Sequence, residues 1–252
     1  MPDTAAEAIL IAGGGRAILL QLAHPAIGHG VAQHSNFEHR PLDRLHATLS
    51  YVYAVAFGTE EDQQAVRRRV NRAHAPVRGD GDPETPAYSA FTPDLQLWVA
   101  ATLYDSAMTV HRRVFGEPSD ALADQLYQAY EALGTALQMP RGLWPIDREA
   151  FARYWDEQLA ALQTDAVTRH VAHQLLHPRH GPVWLRAVMP LGRLVTTGLL
   201  PAELRDAFEL PWTPRDERRF ARTMRMTARL YPALPRGIRQ WPKNHYLRQL
   251  RA

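Results

Sequence analysis

Apolar residues recur along this chain at helical spacing, and strand-like alternation of apolar and polar positions is nearly absent. Residues 16–23 read as a short apolar helix, entered through Gly13, Gly14 and Gly15. It stops at His24-Pro25, because a residue ahead of proline avoids helical angles. A second helix is expected over 42–57, opened by Pro41 and ended by Gly58, and a third over 60–75 with a strongly basic face. The stretch 79–86, rich in Gly, Asp and Pro, reads as a surface loop. Helices follow over 94–115, 119–137 with Ser119 as N-cap, 148–162, 165–176, 183–199, 202–208 and 215–230, with 140–147 as a break. The expectation is an all-α fold, one domain over residues 1–252, with roughly eight to ten helices around a central ligand pocket.

Composition narrows the chemistry. The chain has 252 residues, 46% hydrophobic and 22% charged, with no tract biased enough to suggest disorder. Lys243 is the one lysine among 29 basic side chains, a lopsidedness that fits codon bias better than arginine-specific recognition. The formal net charge is +3, and arginines alternate with acids except at Arg67, Arg68, Arg69 and Arg72 and in the C-terminal stretch 215–251. Neither run has the aromatic interleaving or motif of a nucleic-acid binder, so no nucleic-acid partner is expected. The C-terminal run reads as a solvated helical face, with an anionic membrane or a partner surface as the alternative.

There is no cysteine, which removes disulfides, iron–sulfur clusters, zinc–thiolate sites and thiolate-ligated haem. A metal would have to be held by His, Asp, Glu or Tyr, and 12 histidines are present. Asp3 and Glu7 stand where a secretory leader would be basic, and the longest apolar stretch, 8–23, is too short and too interrupted to span a bilayer. A soluble, cytoplasmic chain without a transmembrane segment is expected, its oligomeric state open.

Several residue groups are candidates for chemistry. The glycines at 13–15 lack the spacing and preceding strand of a phosphate-binding loop, and close backbone packing explains them better. His24, His29, His34 and His39 are spaced by five, which would splay them on a continuous helix, and Pro25, Gly28 and Gly30 are expected to interrupt one. His24, at the end of an apolar segment, is either a core histidine capping a carbonyl or a functional group. His170, His173 and His177 share a helix face and with a borrowed carboxylate would make a non-haem metal site. His74 and Arg78 stand one turn apart if the helix continues through Pro76 with a kink, which would aim His74 into a cavity and Arg78 at a carboxylate. Arg44 and Thr48, at i and i+4, point the same way from an otherwise apolar run.

Five blocks taken in order, GGGRAILLQLAHP, PLDRLHATLSYVYAVAFG, RRVNRAHAPVRG, DLQLWVAATLYDSA and LVTTGLLPAELRDAFELPW, resemble the MpaB-type oxygenase family, which includes the rubber oxygenases. The resemblance spans residues 10–235. It implies an all-α fold around haem b and oxygen-dependent cleavage of alkene bonds in isoprenoid-type, apolar substrates. In the rubber oxygenases the proximal haem ligand lies in His-Ala-x-Val-Arg; His74, Ala75, Val77 and Arg78 match it, which implies iron ligation by His74 and a supporting role for Arg78. The distal Arg-x-x-Lys-Thr pattern is matched at Arg44 and Thr48, but Ala47 replaces the lysine, so no distal protein ligand carries over. Ala100 stands where a histidine is expected, and Pro76 is a second departure. The implied chemistry has Arg44 or Thr48 stabilising negative charge on the reacting oxygen, and His24 moving protons or gating the pocket. The rivals are the non-haem site at His170, His173 and His177, and a haem- or lipophile-binding module without turnover.

Overall fold

A computed structural model of the chain describes residues 2–34, 41–81, 86–178, 180 and 182–251. Among them are thirteen α-helices and one two-stranded antiparallel ribbon, so the fold is all-α. The centre is α5 (Pro93–Phe115), whose buried stripe runs from Gln96 to Val114. Against it lies α1 (Gly14–Leu22), and glycine sets that approach: a Cβ on Gly13 would meet the Ser106 carbonyl at 3.0 Å, and one on Gly15 would stand 2.0 Å from Thr196 Oγ1. Gly13 and Gly15 are therefore packing glycines, as their sequence context suggests, while a Cβ on Gly14 would meet nothing within 4 Å. It also delivers Arg16 into the interior. There its guanidinium donates to Ser106 Oγ and to the carbonyl of Leu199, both at 2.9 Å, and pairs with Asp105 at 2.5 Å. Leu199 is the last residue of α9 (Val183–Leu199), so Arg16 satisfies an orphan carbonyl at a helix C-terminus, where a cation is favoured.

Three sides of this centre are built by other helices. On one, α6 (Asp120–Thr135) and α7 (Arg148–Ala161) pack Tyr127, Tyr130 and Phe151 around Tyr104, with Trp144 from the intervening segment. Ser119 caps α6 as expected. On another, α3 (Pro41–Phe57) and α4 (Glu60–His74) form a helical hairpin turned at Gly58. A Cβ on Gly58 would meet the Ala54 carbonyl at 2.5 Å. Thr59 and Asp62 then close a reciprocal cap on α4. On the third, α9 packs on α11 (Pro214–Leu230) through Leu194, Leu199, Phe220 and Met224.

Two elements depart from the sequence reading. The segment after His24 is a helix, α2 (Pro25–His34), carrying His29 and His34 together; His39 lies outside the described residues. Pro25 sits at its first position, where its missing N–H removes no bond. Gly28 serves contact, since a Cβ there would stand 2.4 Å from the Leu22 carbonyl and 2.6 Å from Thr168 Cγ2. The C-terminus adds α12 (Arg236–Arg239) and α13 (Trp241–Arg251), so the helices exceed the expected eight to ten. Helix α13 closes the α3–α4 hairpin. Tyr246 stacks on Tyr53 and pairs with His46 Nδ1 at 3.1 Å, and Arg251 grips Asp62 at 2.7 Å. The remaining helices are α8 (Ala166–Leu176) and α10 (Ala202–Ala207). Among the described residues no single helix is long and apolar enough to cross a membrane.

Candidate functional site

The helical hairpin brings two of the sequence candidates into electrostatic reach. His74 is the last residue of α4, on the face that buries Val66 and packs Val70 against the core. The helix does not continue through Pro76. Ala75 caps it, the Val77 N–H returns to the His74 carbonyl at 2.9 Å, and the chain enters the strand β1 (Arg78–Gly79). Proline's fixed φ and missing donor fit a turn here better than a kinked helix. The expected one-turn pairing of His74 with Arg78 is therefore replaced: Arg78 lies exposed in β1, paired in register with Ser89 of β2 (Tyr88–Ser89). Residues 82–85, within the expected loop, lie outside the described residues.

The His74 ring packs edge-on to Phe91, at 6.4 Å between centroids, and its buried Nδ1 has no hydrogen-bond partner among the described residues. Burial first, and the positive charge of Arg44 second, hold its pKa below the ordinary histidine value. Both push toward neutral imidazole, the form with a free nitrogen lone pair. Arg44 stands on the first half of α3, partly buried, and desolvation draws its own pKa down to about 10. At neutral pH it stays a cation in a low-dielectric setting, where its field is strongest. Thr48 follows one turn later, partly buried, and Ala47 offers no ligand atom beside it.

A chain of side-chain amides backs this end of α4. Asn71, three residues ahead of His74, accepts from Gln138 Nε2 at 3.0 Å; Gln96 Nε2 donates to Gln138 Oε1 at 2.7 Å and to the Ala90 carbonyl at 2.9 Å. Phe91 follows Ala90, so the ladder ties α4, the start of α5 and the His74 neighbour into one frame. None of Asn71, Phe91, Gln96 and Gln138 stood out in the sequence. Asn71 and Gln96 do fall inside two of the recognised blocks, and the only signal was polar residues on otherwise apolar helix faces.

The other histidines go elsewhere. His24 sits at the 106° bend between α1 and α2, its buried Nδ1 without a hydrogen-bond partner among the described residues and its pKa lowered by burial. Burial outweighs a backbone hydrogen bond within His24 that acts in the opposite direction. His29 pairs with Asp165 at 2.6 Å, joining α2 to α8, and His34 lies 3.4 Å from the Tyr88 hydroxyl. His173 and His177 stack at 4.3 Å while His170 contacts Gln174. Among the described residues no group of three or more His, Asp or Glu side chains is placed to hold a metal, so the carboxylate that the non-haem alternative needs does not join these histidines.

The family described as the catalytic domain of the ER-bound oxygenase mpaB/B' and rubber oxygenase matches residues 3–229. Uncharacterized proteins of Mycobacterium tuberculosis and Mycobacterium bovis are each 38% identical over 223 residues, covering 85% of this chain and 87% of the relative. No solved structure matches.

Proposed function

From the premise that the chain belongs to the mpaB and rubber oxygenase catalytic-domain family, we propose that it is a haem b-dependent oxygenase acting on an apolar, alkene-bearing substrate. The observation that carries this reading is His74: a partly buried imidazole with an unpartnered nitrogen, kept neutral by its surroundings, in the segment that matches the family's ligand pattern. That donor fits haem iron, which would need one protein imidazole and no cluster of protein ligands. When bound, a haem supplies activation of dioxygen for alkene oxidation.

The protein's own side chains set what happens around it. His74 would hold the group by one ring nitrogen, its orientation fixed by the end of α4, the ring of Phe91 and the amide ladder. Arg44 keeps a positive charge within electrostatic reach of His74, where it would orient a carboxylate of the group or stabilise developing negative charge. Thr48 supplies a hydroxyl one turn along the same helix. His24, neutral at physiological pH because it is buried, is able to accept and return a proton. Arg78, exposed in β1, is left a peripheral role toward a haem carboxylate.

Haem titration tests the reading. Purified protein should develop a Soret band with saturable stoichiometry, His74→Ala should abolish or shift it, and His173→Ala should leave it unchanged. Absence of a Soret band after haem addition, or its loss in His173→Ala alone, overturns the assignment. A haem-loaded protein that consumes no oxygen with any isoprenoid would show a binding module instead of an enzyme.

A further inference from the structure

Nine of the thirteen large apolar side chains that stand exposed among the described residues fall between residues 183 and 241. On the first half of α9, Trp184, Val188 and Leu191 form one stripe at i, i+4 and i+7. Met226 and Leu230 stand one turn apart at the end of α11, and Ile238 and Trp241 continue the pattern on α12 and α13. These seven are 50–62% exposed. Helices α9 and α11 are packed partners, and a Cβ on Gly198 would stand 2.5 Å from the Phe220 ring. The second half of α9 is thus covered by α11, while its first half projects the same chemistry outward.

Apart from Asp216 and Glu217 in the first turn of α11, the charge on these elements has one sign. Residues 218–252 carry ten of the 29 basic side chains and none of the 26 acids, so the rest of the chain has more acids than bases. Residues 166–202 also contain no Asp or Glu. Some of the basic groups are spent on structure: Arg236 pairs with Asp3, Arg239 with Glu7 and Arg251 with Asp62. Arg218, Arg222, Arg225 and Arg229 are exposed, form no ion pair among the described residues, and recur at i, i+4, i+7 and i+11 beside Met226 and Leu230.

We propose that the first half of α9 together with α11 to α13 seats on an anionic phospholipid surface. Arginines on one stripe and aliphatic side chains beside them are what an interfacial helix needs: the guanidinium groups meet headgroup phosphates while the apolar residues enter the acyl boundary. Trp184 and Trp241 suit the headgroup level, where an indole keeps its N–H wet and its ring apolar. A second copy of this chain is a poor occupant, since a two-fold contact through this face sets cation against cation. The solvated-face reading of the C-terminal run leaves the exposed aliphatic side chains unexplained.

Co-sedimentation with vesicles decides the matter and needs no cofactor. The full chain should pellet with phosphatidylcholine vesicles containing one-quarter phosphatidylglycerol, and stay largely in solution with phosphatidylcholine alone. Neutralising Arg222→Gln, Arg225→Gln and Arg229→Gln together should weaken binding roughly a hundredfold, each arginine near a negative surface contributing about fivefold. Leu230→Ser with Ile238→Ser should also weaken it, with unchanged circular dichroism showing that the fold survives these exposed substitutions. Failure to pellet with the anionic vesicles at low salt overturns the proposal, as does equal binding to both vesicle types that ignores the arginine changes. A lipid-free dimer that Leu230→Ser with Ile238→Ser converts to monomer, without vesicle binding, would assign the face to self-association.

Discussion

At the scale of single residues, the interior is governed by two devices in one motif: glycine for approach and arginine for satisfaction. Gly15 is strongly favoured while Thr196 faces it, because an added Cβ falls 2.0 Å from Thr196 Oγ1 and forces that side chain to shift. Gly15→Ala should therefore lower stability by about 1–3 kcal/mol in urea unfolding, with Thr196→Ala in the same chain recovering part of the loss. Arg16 has the opposite problem, a buried charge that must keep its partners. Arg16→Met strands the Asp105 carboxylate and should cost about 3–5 kcal/mol, and adding Asp105→Asn should recover some of it. The same scale holds the least legible part of the candidate site. His74 and Arg44 were visible through the family pattern, yet their electrostatic proximity depends on how two helices turn at Gly58, which no local spacing encodes. Gln96 and Gln138 are separated by 42 residues and meet only in the fold.

At the scale of elements, helix boundaries followed rules of capping and proline, and these were readable. Helix α9 runs Val183–Leu199 where the apolar pattern places it, and Asp165 caps α8 through the Thr168 N–H. The failures have physical causes. Gly28 and Gly30 are poor helix formers and predict a break where α2 runs, whereas contact with Leu22, Thr168 and Tyr88 outweighs that propensity. Helix α13 was missed because its own sequence is polar; what holds it is tertiary, through Tyr246, Lys243 over Phe57, and Arg251 on Asp62. This last pair gives a pH test. The Arg251 hydrogen bonds, with help from Thr59, hold Asp62 below the ordinary carboxylate pKa of 3.8. A depressed folded pKa stabilises fully above the unfolded value and is lost as the pH falls through the folded one. The stability gap between the native chain and Asp62→Asn should therefore be constant above 3.8 and close below it, as read by denaturant melts across pH. Thr59→Ala, which removes the other half of the cap, should cost about 1 kcal/mol.

At the scale of the whole molecule, the N-terminal segment is fastened to the C-terminal third. Tyr231 donates its hydroxyl to Glu7 at 2.9 Å and accepts the Ile9 N–H at 3.1 Å, while Arg239 pairs with Glu7 at 3.3 Å. Burial first, and hydrogen bonding to Glu7 after it, raise the Tyr231 pKa to about 12, so it remains a donor throughout the working range. Tyr231→Phe leaves a buried carboxylate and a backbone donor short of a partner. It should cost about 1–3 kcal/mol and raise amide exchange at Ile9, which hydrogen–deuterium exchange would detect. The all-α class was legible from periodicity alone; this closure between distant segments was not, since 222 residues separate Tyr231 from Ile9.

The position of His74 at the very end of α4 has a consequence for how the chain can vary. The helix is anchored fifteen residues upstream, at Thr59, so the ring's compass bearing is inherited from that distant origin. Adding or removing one residue anywhere between swings the imidazole by about 100° and shifts it by about 1.5 Å. Length is therefore frozen over this stretch even where identity is free. Beyond Val77 the chain has already left the helix, and changes of length there leave the imidazole's bearing untouched.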